Sequence, residues 1–482
     1  MSLLWLAGCS KPPAVFFPAQ DMPELAAEAG AARAYDANGD GSGEFFLFAN
    51  GEGRVDRIGY DTTADQRPDQ VIPLDEIPFS HCRHLVLILD GFSYDVVKQY
   101  YDEGRLRLFY APSQVVAPYP TVTDIVLQDV IGGVPARGFE AKYFDRAANR
   151  VKGGANDYLA GVNEPYNRVL QYRADLIWDV IGYVFPAAVF RKELNDAKRL
   201  FDQGRTTEMI AYVVSSAGVS TSEGAAGQRV CLEHVERLVQ QVVWESRGLA
   251  KVTLLADHGH SYTPSKLVDF EKYLKGKGWR PGKSLKDARD VVNVRFGLLT
   301  FGQFCTLRPA ELAADLVDAP GVELVSYPDG SDVVVLAQGG RAIIRRKGAR
   351  YQYERVEGDP LRLGEILAGL TSDADGFYDA NELLTASIDH YFPSPLDRLW
   401  RAHFALARNT PDVMVSLANE YYTGMTSFAG SVDVASTHGS LNRTNSVSFI
   451  MSTAGALPPV LQSRDIADAL KEVTGNDWPM GK

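Results

Sequence analysis

Hydrophobic positions fall into two patterns along the chain. Between residues 84 and 260, short solid apolar runs alternate with longer amphipathic stretches. After residue 260 the runs alternate with Asp-Gly, Gly-Gly and Lys-Gly pairs. A solid run is what a strand needs when both of its faces are covered, so the first region predicts a wound sheet. Its strands are Val86–Leu89, Met209–Val214 and Val252–Leu255, with helices expected at Tyr94–Glu103, Thr123–Ile131, Tyr172–Val180 and Gly227–Glu245. A Ser/Gly-rich loop is expected after Met209–Val214. The second region, with runs such as Val322–Tyr327, Asp332–Ala337 and Arg341–Arg346, predicts antiparallel hairpins.

The expected fold class is α/β: a wound, mostly parallel central sheet sandwiched by helices, with an inserted α+β cap and a small N-terminal β-rich repeat segment. The repeat places a polar turn before a short apolar strand three times, before Phe45–Phe48, Arg57–Tyr60 and Val71–Leu74. The expected layout is a signal-like linker over 1–30, acidic β-turn repeats over 31–80, core over 81–261, cap over 262–394, and core again over 395–482. Asp412–Leu417 is assigned to the core as a further strand.

Composition narrows the function. The 482 residues carry a net charge of −12, which disfavours binding to nucleic-acid polymers. The four cysteines, Cys9, Cys82, Cys231 and Cys305, form no CxxC pair, against a zinc ribbon. Leu6-Ala7-Gly8-Cys9 matches a bacterial lipoprotein processing site, although no Lys or Arg precedes it. That match predicts a cell-envelope or secreted location, with a lipid anchor as the membrane link. A chance match leaves the chain cytoplasmic.

The candidate chemistry lies at the strand ends. Val86–Leu89 runs into Asp90-Gly91, and Val252–Leu255 runs through Ala256 into Asp257-His258-Gly259-His260. Parallel strands deliver such residues to the sheet rim, where ligands bind. His438 follows a later strand in Thr437-His438-Gly439. Carboxylate and imidazole together favour zinc, manganese or iron over calcium. Each histidine taken alone reads equally as a hydrogen-bonded structural residue. In Pro118-Tyr-Pro-Thr121-Val-Thr123-Asp124, a hydroxyl opens a predicted helix, either as a nucleophile beside a metal or as a plain N-cap. Near the N-terminus, Asp36, Asn38, Asp40 and Gly41 match the opening of a calcium loop. Position twelve is Leu47 rather than Glu, so hairpin turns are the competing reading.

The order LILDG, PYPTVTD, GGVP, LLADHGH and THGS resembles the alkaline phosphatase superfamily, nearest to type I phosphodiesterases and nucleotide pyrophosphatases. It spans 84–265 and 395–482. The resemblance implies one metal held by Asp90, Thr123, Asp257 and His258, with Thr123 as nucleophile and Thr121 as fallback. It implies a second metal on an Asp, a His four residues on, and His438. Here the chain departs from the pattern, because Ala217 and Thr221 stand where that Asp and His belong. His260 and Asn442 are candidate substrate contacts. The expectation is a divalent-metal hydrolase of a small phosphorylated substrate, a phosphodiester or pyrophosphate, with one intact metal site. The alternative is an impaired member that binds a ligand or partner.

Overall fold

A computed structural model describes residues 24–25, 31, 33–36, 40–159, 165–174, 178, 185–424 and 434–480. Cys9 and Asn38 lie outside the described residues. The architecture is α/β. A seven-stranded sheet orders its strands Tyr172–Arg173, Glu208–Val213, Arg83–Leu89, Ala250–Ala256, Val447–Ser452, Ser113–Val116 and Val460–Gln462. The first four are mutually parallel, and Val447–Ser452 is antiparallel to both neighbours. Strand alternation sends Leu85, Leu87 and Leu89 to one face and Val86 and Ile88 to the other. On the first face they pack against helices Tyr94–Asp102, Pro186–Gln203 and Ser215–Glu245. On the second they meet helices Thr123–Val130 and Ile466–Thr474. Both faces are covered, as the solid apolar runs require.

The expected helix over Tyr172–Val180 is corrected at its start. Tyr172–Arg173 is an edge strand parallel to Glu208–Val213, and most of the remainder lies outside the described residues. The expected Ser/Gly-rich loop is instead the opening of helix Ser215–Glu245. Buried Glu193, on the neighbouring helix, accepts hydrogen bonds from the Val214 and Ser215 amides at 3.3 and 2.9 Å. A carboxylate at that N-terminus satisfies the orphan amides and opposes the helix dipole, which offsets the poor propensity of Ser and Gly. Gly224, at φ 61, ψ −145, kinks the helix.

The N-terminal segment is a five-stranded antiparallel meander from Glu24–Leu25 to Gln70–Pro73. Phe45 and Tyr60 pack on Trp244 of the long helix, and the Tyr60 hydroxyl donates to the Trp244 carbonyl at 2.7 Å. The cap region forms a nine-stranded sheet, and here a second assignment is corrected. Val413–Leu417 belongs to this sheet, between Phe301–Thr306 and Val322–Asp329, and not to the wound sheet. Thr300, just ahead of the strand Phe301–Thr306, donates its amide to the His438 carbonyl at 2.8 Å.

Candidate metal centre

Three buried ligand atoms converge where the parallel strands end. One atom each from Asp90, Asp257 and His258 lies within 4.8 Å of the others. His258 Nε2 is 3.4 Å from Asp257 Oδ2 and 3.8 Å from Asp90 Oδ1. The strands Arg83–Leu89 and Ala250–Ala256 pair in register, Leu89 opposite Ala256, so Asp90 and Asp257 leave the sheet side by side. Gly91 turns the chain at φ 70 and donates its amide to Asp257 Oδ1 at 2.9 Å; the His258 amide adds a second bond at 2.8 Å.

The hydrogen bonds fix the imidazole tautomers. His258 Nδ1 lies 3.0 Å from the Gly259 carbonyl, which only accepts, so Nδ1 carries the proton and Nε2 presents a lone pair. Burial lowers the His258 pKa to about 4, which keeps the ring neutral. Burial raises Asp257 to about 6, against the Gly91 and His258 amide bonds that lower it. Among the described residues no Lys or Arg pairs with Asp257. Two buried carboxylates beside a bare imidazole nitrogen fit a divalent cation, and a neutral imidazole is the form that ligates.

Thr123 adjoins this cluster. It is the first residue of helix Thr123–Val130; the cap position is Val122, with no side-chain cap, so the N-cap reading of Thr123 does not hold. Its Oγ1 is 3.4 Å from His258 Nε2, and its side chain is half-buried where Thr121 is wholly buried. Thr121 Oγ1 accepts the Gly439 amide at 2.9 Å, and its carbonyl accepts from His438 Nδ1 at 2.8 Å. Thr121 is therefore a brace for the His438 loop.

His438 stacks on His258 with ring centroids 4.0 Å apart at 17°, outside the three-ligand cluster. Desolvation lowers its pKa to about 3, and with Nδ1 committed to Thr121 it presents Nε2 as an acceptor. His260 is fully buried behind it, 5.2 Å between centroids, with Nδ1 2.8 Å from Ser436 Oγ. Thr221 joins the same layer through its carbonyl, which accepts the Ser436 amide at 3.2 Å. Ala217 has only a methyl group to offer. His438 and His260 therefore occupy this side of the site, with no carboxylate contributed from positions 217 or 221.

Two expected substrate contacts are displaced. Asn442 is fully buried; it caps the Arg443–Ser446 turn through the Asn445 amide at 3.2 Å and donates to Asn419 Oδ1 at 2.7 Å. It is committed to holding its own loop. Fully buried His260 presents no surface to a cleft. The residue missed by sequence reasoning is Tyr212. Its phenol hydroxyl donates to Asp90 Oδ2, and burial together with the charges of Asp90 and Asp257 raises its pKa far above the ordinary value. Only the strand register, Tyr212 opposite Ile88, reveals it, two residues before Asp90.

In the N-terminal loop, Asp36 and Asp40 come together with Glu44, each offering an oxygen within 4.8 Å of the others. Asp36 also accepts the Asp40 and Gly41 amides at 3.2 and 2.7 Å, as a turn-forming aspartate does.

No protein-family model and no curated protein matches this sequence. Among solved structures, the chain is similar to murine ectonucleotide pyrophosphatase/phosphodiesterase 5, with TM-score 0.45 and 11% identity over 82% of this chain and 96% of that one. It is similar to the human protein of the same name with TM-score 0.46 and 10% identity, over the same shares of the two chains.

Proposed function

We propose that this protein is a metal-dependent hydrolase of phosphate esters, acting on a phosphodiester or pyrophosphate-like substrate through Thr123. The observation that carries this reading is the buried Asp90–Asp257–His258 cluster with Thr123 Oγ1 3.4 Å from His258 Nε2. An ion held by those three residues, zinc by ligand type with manganese as a substitute, would lower the pKa of an adjacent hydroxyl and offset phosphoryl charge. With its hydroxyl proton lost to solvent, Thr123 Oγ1 forms the bond to phosphorus as the bond from phosphorus to the ester oxygen breaks, and the departing oxygen takes a proton from water. Thr123 is the first residue of helix Thr123–Val130, so a phosphoryl group on it would sit at the positive N-terminal end of that helix. Water activated at the ion would release phosphate from Thr123, and His438, fixed by Thr121 and presenting Nε2 as an acceptor, would orient that water by a hydrogen bond.

A second reading, a ligand-binding protein without turnover, is favoured by one observation: Ala217 and Thr221 supply neither a carboxylate nor an imidazole for a second ion. The two readings separate in an assay of an aryl phosphodiester with added zinc or manganese, using wild type and Thr123→Ala. Turnover that disappears in Thr123→Ala supports the enzyme. Zinc binding without Thr123-dependent turnover supports the second reading. Two further parts of the proposal are tested separately. Calcium at Asp36, Asn38 and Asp40 should raise the melting temperature of the N-terminal meander. Acyl mass on Cys9 of cell-derived protein would support a lipid-anchored envelope location.

A further inference from the structure

We propose that Tyr212 is a metal-positioning residue that holds Asp90 as a one-oxygen ligand and biases the site toward a small tetrahedral cation; this rests on the metal site of the proposed function. Tyr212 is among the largest fully buried side chains of the molecule, and its hydroxyl donates to Asp90 Oδ2. The other Asp90 oxygen, Oδ1, faces His258 Nε2 at 3.8 Å. A carboxylate whose Oδ2 carries a proton donor turns Oδ1 to the ion, as the hydrogen-bonded outer partners of metal ligands commonly arrange.

Packing fixes the tyrosine in turn. Its strand, Glu208–Val213, pairs in parallel with Arg83–Leu89, Tyr212 opposite Ile88 and Val213 opposite Leu89. The ring belongs to the same apolar cluster as Val86, Ile88, Val126 and Tyr166. The hydroxyl is thereby carried at a set height below Asp90. The consequence for the ion follows from coordination chemistry. Zinc accepts four ligands in tetrahedral array, whereas calcium takes six to eight oxygens and readily uses both oxygens of a carboxylate. Holding Asp90 to one oxygen costs calcium more than zinc.

The test is zinc affinity of the full chain by competition with a chromophoric chelator, repeated with calcium. Tyr212→Phe should weaken zinc about 10–100-fold, the usual effect of removing an outer-shell partner, and narrow the preference of zinc over calcium. Tyr166→Phe is the control, since Tyr166 is equally buried but donates to Asp124 Oδ1 at 3.1 Å. It should leave zinc affinity unchanged while altering stability. Wild-type zinc affinity and selectivity in folded Tyr212→Phe would overturn the inference. Should that variant not fold, 3-fluorotyrosine at 212 retains the hydroxyl; a fluorine resonance that shifts on zinc addition supports the inference, and one that zinc leaves unmoved overturns it. A wild-type chain that binds no zinc would overturn the proposed function as well, an outcome distinct from equal binding by both chains.

Discussion

Replacing Gly91 by alanine probes how tightly the site is built. A Cβ at Gly91 would stand 2.7 Å from His260 Cδ2, 2.9 Å from His260 Nε2 and 3.6 Å from His258 Cε1. The backbone there has φ 70, which costs an alanine about 1–2 kcal/mol. Relieving the contact means moving the His260 ring, which is fully buried and anchored at Nδ1 on Ser436. Overpacking of a filled interior costs roughly 1–3 kcal/mol. The expected loss is thus about 2–5 kcal/mol. Gly104→Ala separates the two contributions: Gly104 also has positive φ, 87, but its Cβ would meet nothing within 4 Å. That variant should lose only the backbone share, about 1–2 kcal/mol. The assay is urea unfolding of both variants after chelation, with m-values compared to wild type. If Gly91→Ala loses no more than Gly104→Ala, the packing of His260 against Gly91 is refuted.

The remaining predictions concern individual side chains. Thr121→Ala should cost about 1–3 kcal/mol of stability by leaving the buried Gly439 amide unpaired, while Thr123→Ala should unfold at nearly the wild-type urea concentration. Equal effects of the two on unfolding would contradict their assigned roles. Burial holds His403 down to about 3, with Nε2 2.9 Å from Ser326 Oγ. Its folded pKa lies below the unfolded 6.5, so the unfolded chain binds the proton first and stability falls as pH drops below 6.5. At pH 5 the loss due to this residue is about 2 kcal/mol, and His403→Gln should remove that share of the pH 7-to-5 decline in denaturant midpoint. An unchanged decline would refute it.

The sequence carried the wound sheet well, because a strand covered on both faces must be apolar throughout, as Val86–Leu89 and Val252–Leu255 are. The same property misplaced Val413–Leu417, since an apolar run does not say which of two sheets buries it. The helix beginning at Ser215 was illegible for a different reason: its cap is Glu193, supplied by another helix. Asp90, Asp257 and His258, which the structure brings together, stood out because each follows a solid apolar run and is closely followed by a glycine. Tyr212 was hidden inside such a run, and its role emerges only from the register between neighbouring strands. Asn442 shows the converse, a polar residue in a suggestive stretch that the fold spends on capping its own turn.

The proposed function stands on one divalent cation binding at Asp90, Asp257 and His258. Equilibrium dialysis of the full chain against zinc, with bound metal counted per chain by mass spectrometry, tests it most directly. Wild type should hold one tightly bound zinc, and Asp257→Asn none. Two tightly bound ions, or none, in wild type would contradict it, as would one ion retained at full affinity in Asp257→Asn.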